Sequence, residues 1–228
     1  MNLRDDIRNY QVTSALPSEL IKTSREYLAL AILKYSFPER FSKIHKAEAP
    51  DLQDSDGEIG VEVTWGGAPQ NEIITGESIK YSHAKTEADK ERCLHIIRMN
   101  GGDRDEICIS YPVGTSEGDK KSVIEVFRKK LKKVADYRRC FHSVGLAILI
   151  DIPMFFFDDP LWGKPLSDIN KNGFDFVAII HWSGIDIFDF KTEKYSKQRI
   201  GREDMDALRR LGRMAAEGII KDDDPVWD

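Results

Sequence analysis

Residues 50–65 of the chain, PDLQDSDGEIGVEVTW, join an acidic turn to a strand pattern. From Ile59 to Trp65 the residue types alternate, which predicts a β-strand with two unlike faces. Gly57 lies in the preceding turn, where the chain can reverse its direction. Reversal would bring the carboxylates of Asp51 and Glu62 together on neighbouring antiparallel strands. An acidic hairpin on a solvated sheet edge is the alternative interpretation of the same spacing.

Hydrophobic periodicity on both sides of this hairpin predicts a chain that mixes helices and strands. Residues 17–37 predict a helix, because Pro17 suits a first turn and Pro38 stops a helix. The later predicted elements are a loop and then a helix over 68–99, a short strand over 106–111, a helix over 120–139, a strand buried on both faces over 144–152, a hairpin of 176–182 and 185–190, and a helix over 201–218. This order predicts an α/β fold with a central mixed sheet flanked by helices.

The composition is that of a globular protein and predicts a single domain over residues 1–228. No apolar run approaches the roughly 20 residues that a membrane helix needs. Three scattered cysteines and no visible secretory signal predict a cytoplasmic protein. The net charge of -5 argues against coating nucleic acid by charge alone. The charge is uneven, however, because residues 119–139 carry nine Lys and Arg against three acids, and a local basic face of this kind suits nucleic acid.

Two charged side chains fall on predicted apolar helix faces. Lys130 aligns with Val126 and Val134 at about 100° per residue, so its ammonium needs a partner near the core. The alternative is that Lys130 reaches the surface from the edge of the stripe. Glu26 similarly shares a face with Leu30, where a carboxylate is costly to bury unpaired. The alternative is that Glu26 lies at the exposed start of this apolar stripe.

Asp51 followed by Glu62-Val63-Thr64 resembles the signature of the PD-(D/E)xK nucleases, the restriction-endonuclease-like superfamily. That signature is a Pro-Asp, a gap, and then an acid, an apolar residue and a lysine on a strand. The resemblance covers a nuclease-like core of about residues 17–152, to which a C-terminal hairpin and helix at 175–218 are added. The chain departs from the signature at Thr64, which takes the position of the lysine.

The resemblance implies a metal-dependent endonuclease that hydrolyses DNA phosphodiesters. Asp51 and Glu62 would bind Mg²⁺ or Mn²⁺, which prefer oxygen ligands, and Glu26 would hold a metal-bound water. Lys130, or as second choice Lys133, would replace the missing lysine. The basic residues expected to follow the DNA backbone are Arg128, Lys129, Lys132, Lys133, Arg138 and Arg139. We expect no membrane partner and allow for a homodimer.

Two other functions stay open at this point. The first is a catalytically inactive member of the same fold that acts as an interaction module, which suits Thr64 and the acidic pI of about 5.6. The second is an unrelated α/β protein in which the acidic hairpin has no chemistry. The sequence leaves DNA or RNA preference open, and also whether residues 68–99 form a substrate lid or mere packing.

Overall fold

A computed structural model describes residues 4–105, 109–110, 116–150 and 163–227 of the chain. Within these ranges the protein has an α/β fold, in which helices cover both faces of a seven-stranded mixed sheet. A second, two-stranded sheet lies apart from it. The expected α/β class, with a central mixed sheet flanked by helices, is confirmed.

The strands of the described residues number nine. They are β1 (His45–Lys46), β2 (Leu52–Gln53), β3 (Ile59–Trp65), β4 (Asp103–Arg104), β5 (Ile109–Ser110), β6 (Ser143–Leu149), β7 (Phe176–His181), β8 (Gly184–Asp189) and β9 (Lys194–Arg199). The large sheet has the order β1-β2-β3-β6-β7-β8-β9. Strands β3, β6 and β7 run parallel, and the other pairs of this sheet are antiparallel.

The helices that the structure describes are α1 (Asp5–Arg8), α2 (Ile21–Ser36), α3 (Pro38–Phe41), α4 (Pro69–His83), α5 (Glu87–Met99), α6 (Ser116–Leu131), α7 (Val134–Tyr137), α8 (Gly163–Ile169) and α9 (Arg202–Ala216). Short 3-10 turns lie at Ser18–Leu20 and Pro225–Trp227. None of the helices in the described ranges is both long and apolar enough to cross a membrane.

Two hydrophobic cores hold the layers together. One lies between the sheet and helices α2 and α9, and contains Leu30, Ala147 and Leu208. The other lies between the sheet and helices α6, α7 and α8, and contains Phe127 and Ile148. Strand β6 contributes to both, because alternate side chains of a strand point to opposite faces. The continuous apolar run of β6 is therefore buried on both sides, as its sequence predicts.

Helix α9 crosses α2 at a position where a side chain would not fit. A Cβ on Gly212 would lie 2.9 Å from the backbone nitrogen of Leu28. Gly212 costs helical stability relative to alanine, but it allows the two helix backbones to approach closely. The glycine inside the predicted helix over 201–218 thus has a packing reason.

Several sequence predictions of single elements are corrected. The stretch 68–99 contains two helices, α4 and α5, rather than a loop and a helix; they pack mainly against each other, so little of α4 carries an apolar stripe. The helix over 120–139 is interrupted after Leu131 and resumes at Val134. Strand β9 extends the predicted hairpin to three strands. The predicted strand over 106–111 lies mostly outside the described residues, as do positions 151 and 152 of the predicted buried strand.

Candidate active site

Asp51 and Glu62 face each other across the junction of β2 and β3. Leu52 pairs with Val61, which places the preceding Asp51 opposite the following Glu62. Strand β2 ends its pairing there, so the N–H of Val63 has no β2 partner and donates instead to Oδ2 of Asp51 at 2.8 Å. Both carboxylates are buried, with 4% of Asp51 and 2% of Glu62 exposed. The short β2 strand therefore leaves room for a polar site beside β3.

Burial and neighbouring negative charge perturb Asp51. Burial raises the pKa of Asp51 to about 6, with further contributions from the charges of Glu62 and Glu26. The hydrogen bond from Val63 and the charge of Lys22 act in the opposite direction. Asp51 is thus a buried carboxyl whose ionised form lacks sufficient positive charge around it.

Glu26 is the third buried carboxylate, and it approaches from helix α2. The ammonium of Lys22 lies 3.1 Å from its Oε1, and the ammonium of Lys46 lies 3.2 Å from its Oε2. Lys22 is also 3.6 Å from Oδ1 of Asp51, so this lysine bridges two acids. We call Glu26, Asp51 and Glu62 the carboxylate cluster. Its partner Lys22 is one turn before Glu26 on α2, whereas Lys46 comes from β1, which no local sequence pattern connects to Glu26.

Glu62 accepts hydrogen bonds from the α6–α7 segment. The ammonium groups of Lys130 and Lys133 lie 2.6 and 2.7 Å from its Oε1. The hydroxyl of Tyr137 donates to its Oε2. Burial by itself would raise the pKa of Glu62, but these three donors outweigh burial and lower that pKa below its ordinary value. Glu62 is therefore held as an anion, in contrast to Asp51.

Lys130 and Lys133 reach the same oxygen of Glu62 from one side of the α6–α7 segment. In a continuous helix Lys130 and Lys133 point about 300° apart around the axis, that is, about 60° from each other. Lys133 lies in the turn between the two helices, where it immediately precedes Val134. Lys130 comes from the apolar side of α6, as its helical phase predicts. Both Lys130 and Lys133 thus contact Glu62.

Tyr137 was missed as a site residue by the sequence analysis. Its position in the apolar stripe of the predicted helix predicts a core side chain, and Tyr137 is buried. Burial and the hydrogen bond to Glu62 raise the pKa of its phenol. The available signal was its helical phase, since Tyr137 follows Lys130 by seven residues, or two turns.

Thr64 lies on the wall of a cleft that also contains Lys130. Thr64, the strand position at which the PD-(D/E)xK signature has lysine, and Lys130 thus line one cleft. Among the basic residues expected at nucleic acid, Lys129 lines this cleft, and Arg128 and Lys132 are exposed. Arg138 instead pairs with the buried Asp175 at 3.2 Å and donates to the carbonyl of Gly173.

A divalent ion fits the donor chemistry of Asp51 and Glu62. Their carboxylates offer oxygen only, the ligand type that Mg²⁺ and Mn²⁺ prefer. The pKa of Asp51 is raised, and a bound cation would lower it by stabilising the ionised carboxylate. In the described ranges no group of three or more His, Cys, Asp and Glu side chains is arranged to hold a metal. A metal ion held by Asp51 and Glu62 would complete its coordination with backbone oxygen or water.

Comparison of the chain with protein-family models, with curated proteins and with solved structures finds no match. The description of the protein therefore rests on its own fold and on the carboxylate cluster. It is an α/β protein with three buried carboxylates and four nearby lysines at one side of its sheet.

Proposed function

We propose that this protein is a metal-dependent nuclease with a restriction-endonuclease-like core, and that it hydrolyses phosphodiester bonds of DNA. One observation carries the proposal: Lys130 contacts Glu62 at 2.6 Å and lines the same cleft as Thr64. The ammonium that the strand signature lacks at Thr64 is thereby supplied from helix α6. Two buried acids, Asp51 and Glu62, and a lysine that contacts one of them are groups that can support phosphodiester hydrolysis with a metal ion.

The order of elements supports the same proposal. Helix α2 precedes the antiparallel meander β1-β2-β3, and α6 then precedes β6, which pairs with β3 in parallel. This is the helix, meander, helix and strand order of the superfamily core. Asp51 and Glu62 occupy the second and third strands of the meander or their immediate flanks, as in the PD-(D/E)xK signature.

The carboxylate cluster and the residues that contact it have separate roles in this proposal. Asp51 and Glu62 would hold Mg²⁺ or Mn²⁺, which when bound polarises the phosphate and lowers the pKa of water. Lys130 contacts a non-bridging phosphate oxygen and stabilises the negative charge that develops there. Lys133 and Tyr137 fix the carboxylate of Glu62. Glu26, itself held by Lys22, accepts a hydrogen bond from water at the site.

Plasmid cleavage tests the proposal. The purified protein should nick or linearise plasmid DNA with Mg²⁺ or Mn²⁺ and should lose this activity with EDTA. Glu62→Gln should abolish cleavage, whereas Glu58→Gln, which removes an exposed carboxylate from the preceding turn, should leave it intact. A folded protein that cleaves neither DNA nor RNA with any divalent ion would contradict the proposal and favour the inactive interaction module.

A further inference from the structure

A cleft of about 410 Å³ opens beside the carboxylate cluster, between α2, β3, the start of α4 and α6. Four cationic side chains line it: Lys22, Arg25, Lys129 and Lys130. Among the described residues, two acids lie on its wall, Glu26 and Glu72. The described side chains that line the cleft carry four positive and two negative charges, so the wall of the cleft suits a polyanion.

Arg25 is held in this cleft by an aromatic ring and by a carboxylate. Its guanidinium lies over the indole ring of Trp65, 4.2 Å from the ring centroid. Its Nη1 donates to Oε1 of Glu72 at 3.1 Å. Stacking fixes the plane of the guanidinium, and one hydrogen bond uses only one of its five N–H donors. The remaining edge of Arg25 is a preformed fork for an oxyanion.

The pair of Arg25 with Glu72 is open to exchange. About half of the Glu72 side chain is exposed, at 51%, against 24% for Arg25. Ion pairs with this exposure are weak and screened by salt. A phosphate can form two charge-assisted hydrogen bonds to the same guanidinium. A phosphate that enters the cleft should therefore displace Glu72 from Arg25.

The position of Arg25 on α2 identifies which phosphate it would meet. Lys22, Arg25 and Glu26 share one helix face, because their spacing is three and four residues. Lys22 and Glu26 belong to the carboxylate cluster and its partners and line the same cleft as Arg25, so Arg25 lies beside the proposed cleavage position. A backbone with regularly spaced phosphates would present its next phosphate there.

We propose that Arg25 binds the phosphate that flanks the scissile one, and that Glu72 holds Arg25 until this phosphate replaces it. The inference rests on the proposed function, because it assumes a nucleic-acid backbone in the cleft. It makes Arg25 a positioning residue with Trp65 as its support. Glu72 then weakens substrate binding, because the phosphate has to displace it from Arg25.

Binding of a short fluorescein-labelled DNA duplex, measured by anisotropy in EDTA over a range of salt, tests this inference without cleavage. Arg25→Met should weaken binding about tenfold and reduce the slope of log affinity against log salt by about one. Arg25→Lys should keep the slope but lose affinity, because lysine lacks the planar fork. Glu72→Gln should tighten binding several-fold in the parent and not in the Arg25→Met background.

Glu87→Gln is the matched control for charge, because it removes a carboxylate from the Glu87–Lys90 ion pair outside the cleft. It should change affinity less than Glu72→Gln does. A parent that binds and cleaves DNA, with Arg25→Met unchanged in affinity and slope, overturns the role of Arg25 alone. A parent that neither binds nor cleaves nucleic acid overturns both proposals. If Arg25→Met fails to fold, equal affinities of the parent and Glu72→Gln overturn the exchange.

Discussion

The ammonium of Lys130 lies 2.6 Å from Oε1 of Glu62, although 68 positions of the chain separate the two residues. Glu62 is almost fully buried, and a buried carboxylate is costly unless several donors compensate it. The α6–α7 segment supplies all three donors, from Lys130, Lys133 and Tyr137. Strand β3 and this helical segment are therefore joined at one polar point as well as through the hydrophobic core.

Lys130→Met should separate chemistry from stability. Methionine keeps the apolar stem that packs in α6 and removes only the ammonium. We expect plasmid cleavage to fall about 10²–10³-fold, because a cation at the developing charge is lost. Unfolding in urea should change by only about 1 kcal/mol, since Lys133 still contacts the same oxygen of Glu62.

The control for this substitution is Lys121→Met on the exposed side of the same helix, which should leave cleavage unchanged. If Lys130→Met cleaves as fast as the parent, Lys130 does not belong to the active site. Lys133→Met would then be the next variant to measure, because its nitrogen is 2.7 Å from the same Glu62 oxygen.

Asp51→Asn should stabilise the free protein at neutral pH. The pKa of Asp51 is raised by burial from 3.8 to about 6, so between these values the folded state binds more protons than the unfolded state. Asp51 therefore makes the parent less stable as pH rises through this window. The advantage of Asp51→Asn in urea unfolding should grow across it and reach about 3 kcal/mol above pH 6. Calorimetric titration should show weaker Mg²⁺ binding.

Asp175→Asn is the matched variant of opposite sign. Although burial acts to raise the pKa of Asp175, hydrogen bonds from Val144, Lys191 and Arg138 lower it overall. Its ionised form therefore stabilises the fold at neutral pH, and this contribution disappears as pH falls through the lowered pKa. Asp175→Asn should destabilise the protein at neutral pH and have little effect in acid.

Unfolding of Asp51→Asn at neutral pH would contradict the predicted stabilisation and would mean that Asp51 has a structural role.

Tyr137→Phe should destabilise the fold through Glu62. The substitution leaves Oε2 of a buried carboxylate without its hydroxyl donor, which costs about 1–3 kcal/mol. Urea unfolding measures this loss. Tyr10→Phe is the control, because Tyr10 makes the same type of bond to Glu217 at 2.7 Å but in a less buried place. Equal losses for the two variants would argue against a special role of burial at Glu62.

Local patterns in the sequence predict the parts of the site that depend on local geometry. Strand β3 has the predicted bounds Ile59–Trp65, because alternation and the turn at Gly57 are both local signals. The contact between Lys130 and Glu62 follows from helical phase, which sets Lys130 on the side of α6 that faces the sheet. In both cases a periodicity of a few residues determines where the side chain points.

The residues that sequence analysis missed depend on packing between distant elements. Lys46 reaches Glu26 from β1, and no periodicity relates these two residues. Tyr137 has the pattern of a core residue, and only the burial of Glu62 gives its hydroxyl a function. Strand β9 carries mostly exposed polar residues, so it lacks the apolar alternation that would reveal a strand.

Ile148→Ala should cost the fold roughly 2–5 kcal/mol, the range for large-to-small substitutions in a core. Ile148 is fully buried in β6, where it pairs with Thr64 of β3 and Ile179 of β7. Its Cγ2 packs so closely on Gly66 that a Cβ there would lie 2.4 Å away. Ile219→Ala, at a side chain that is 55% exposed, should change the free energy of unfolding by less than about 0.5 kcal/mol. Similar values for both variants would contradict the placement of β6 at the centre of the sheet, on which the geometry of the neighbouring β3 site depends.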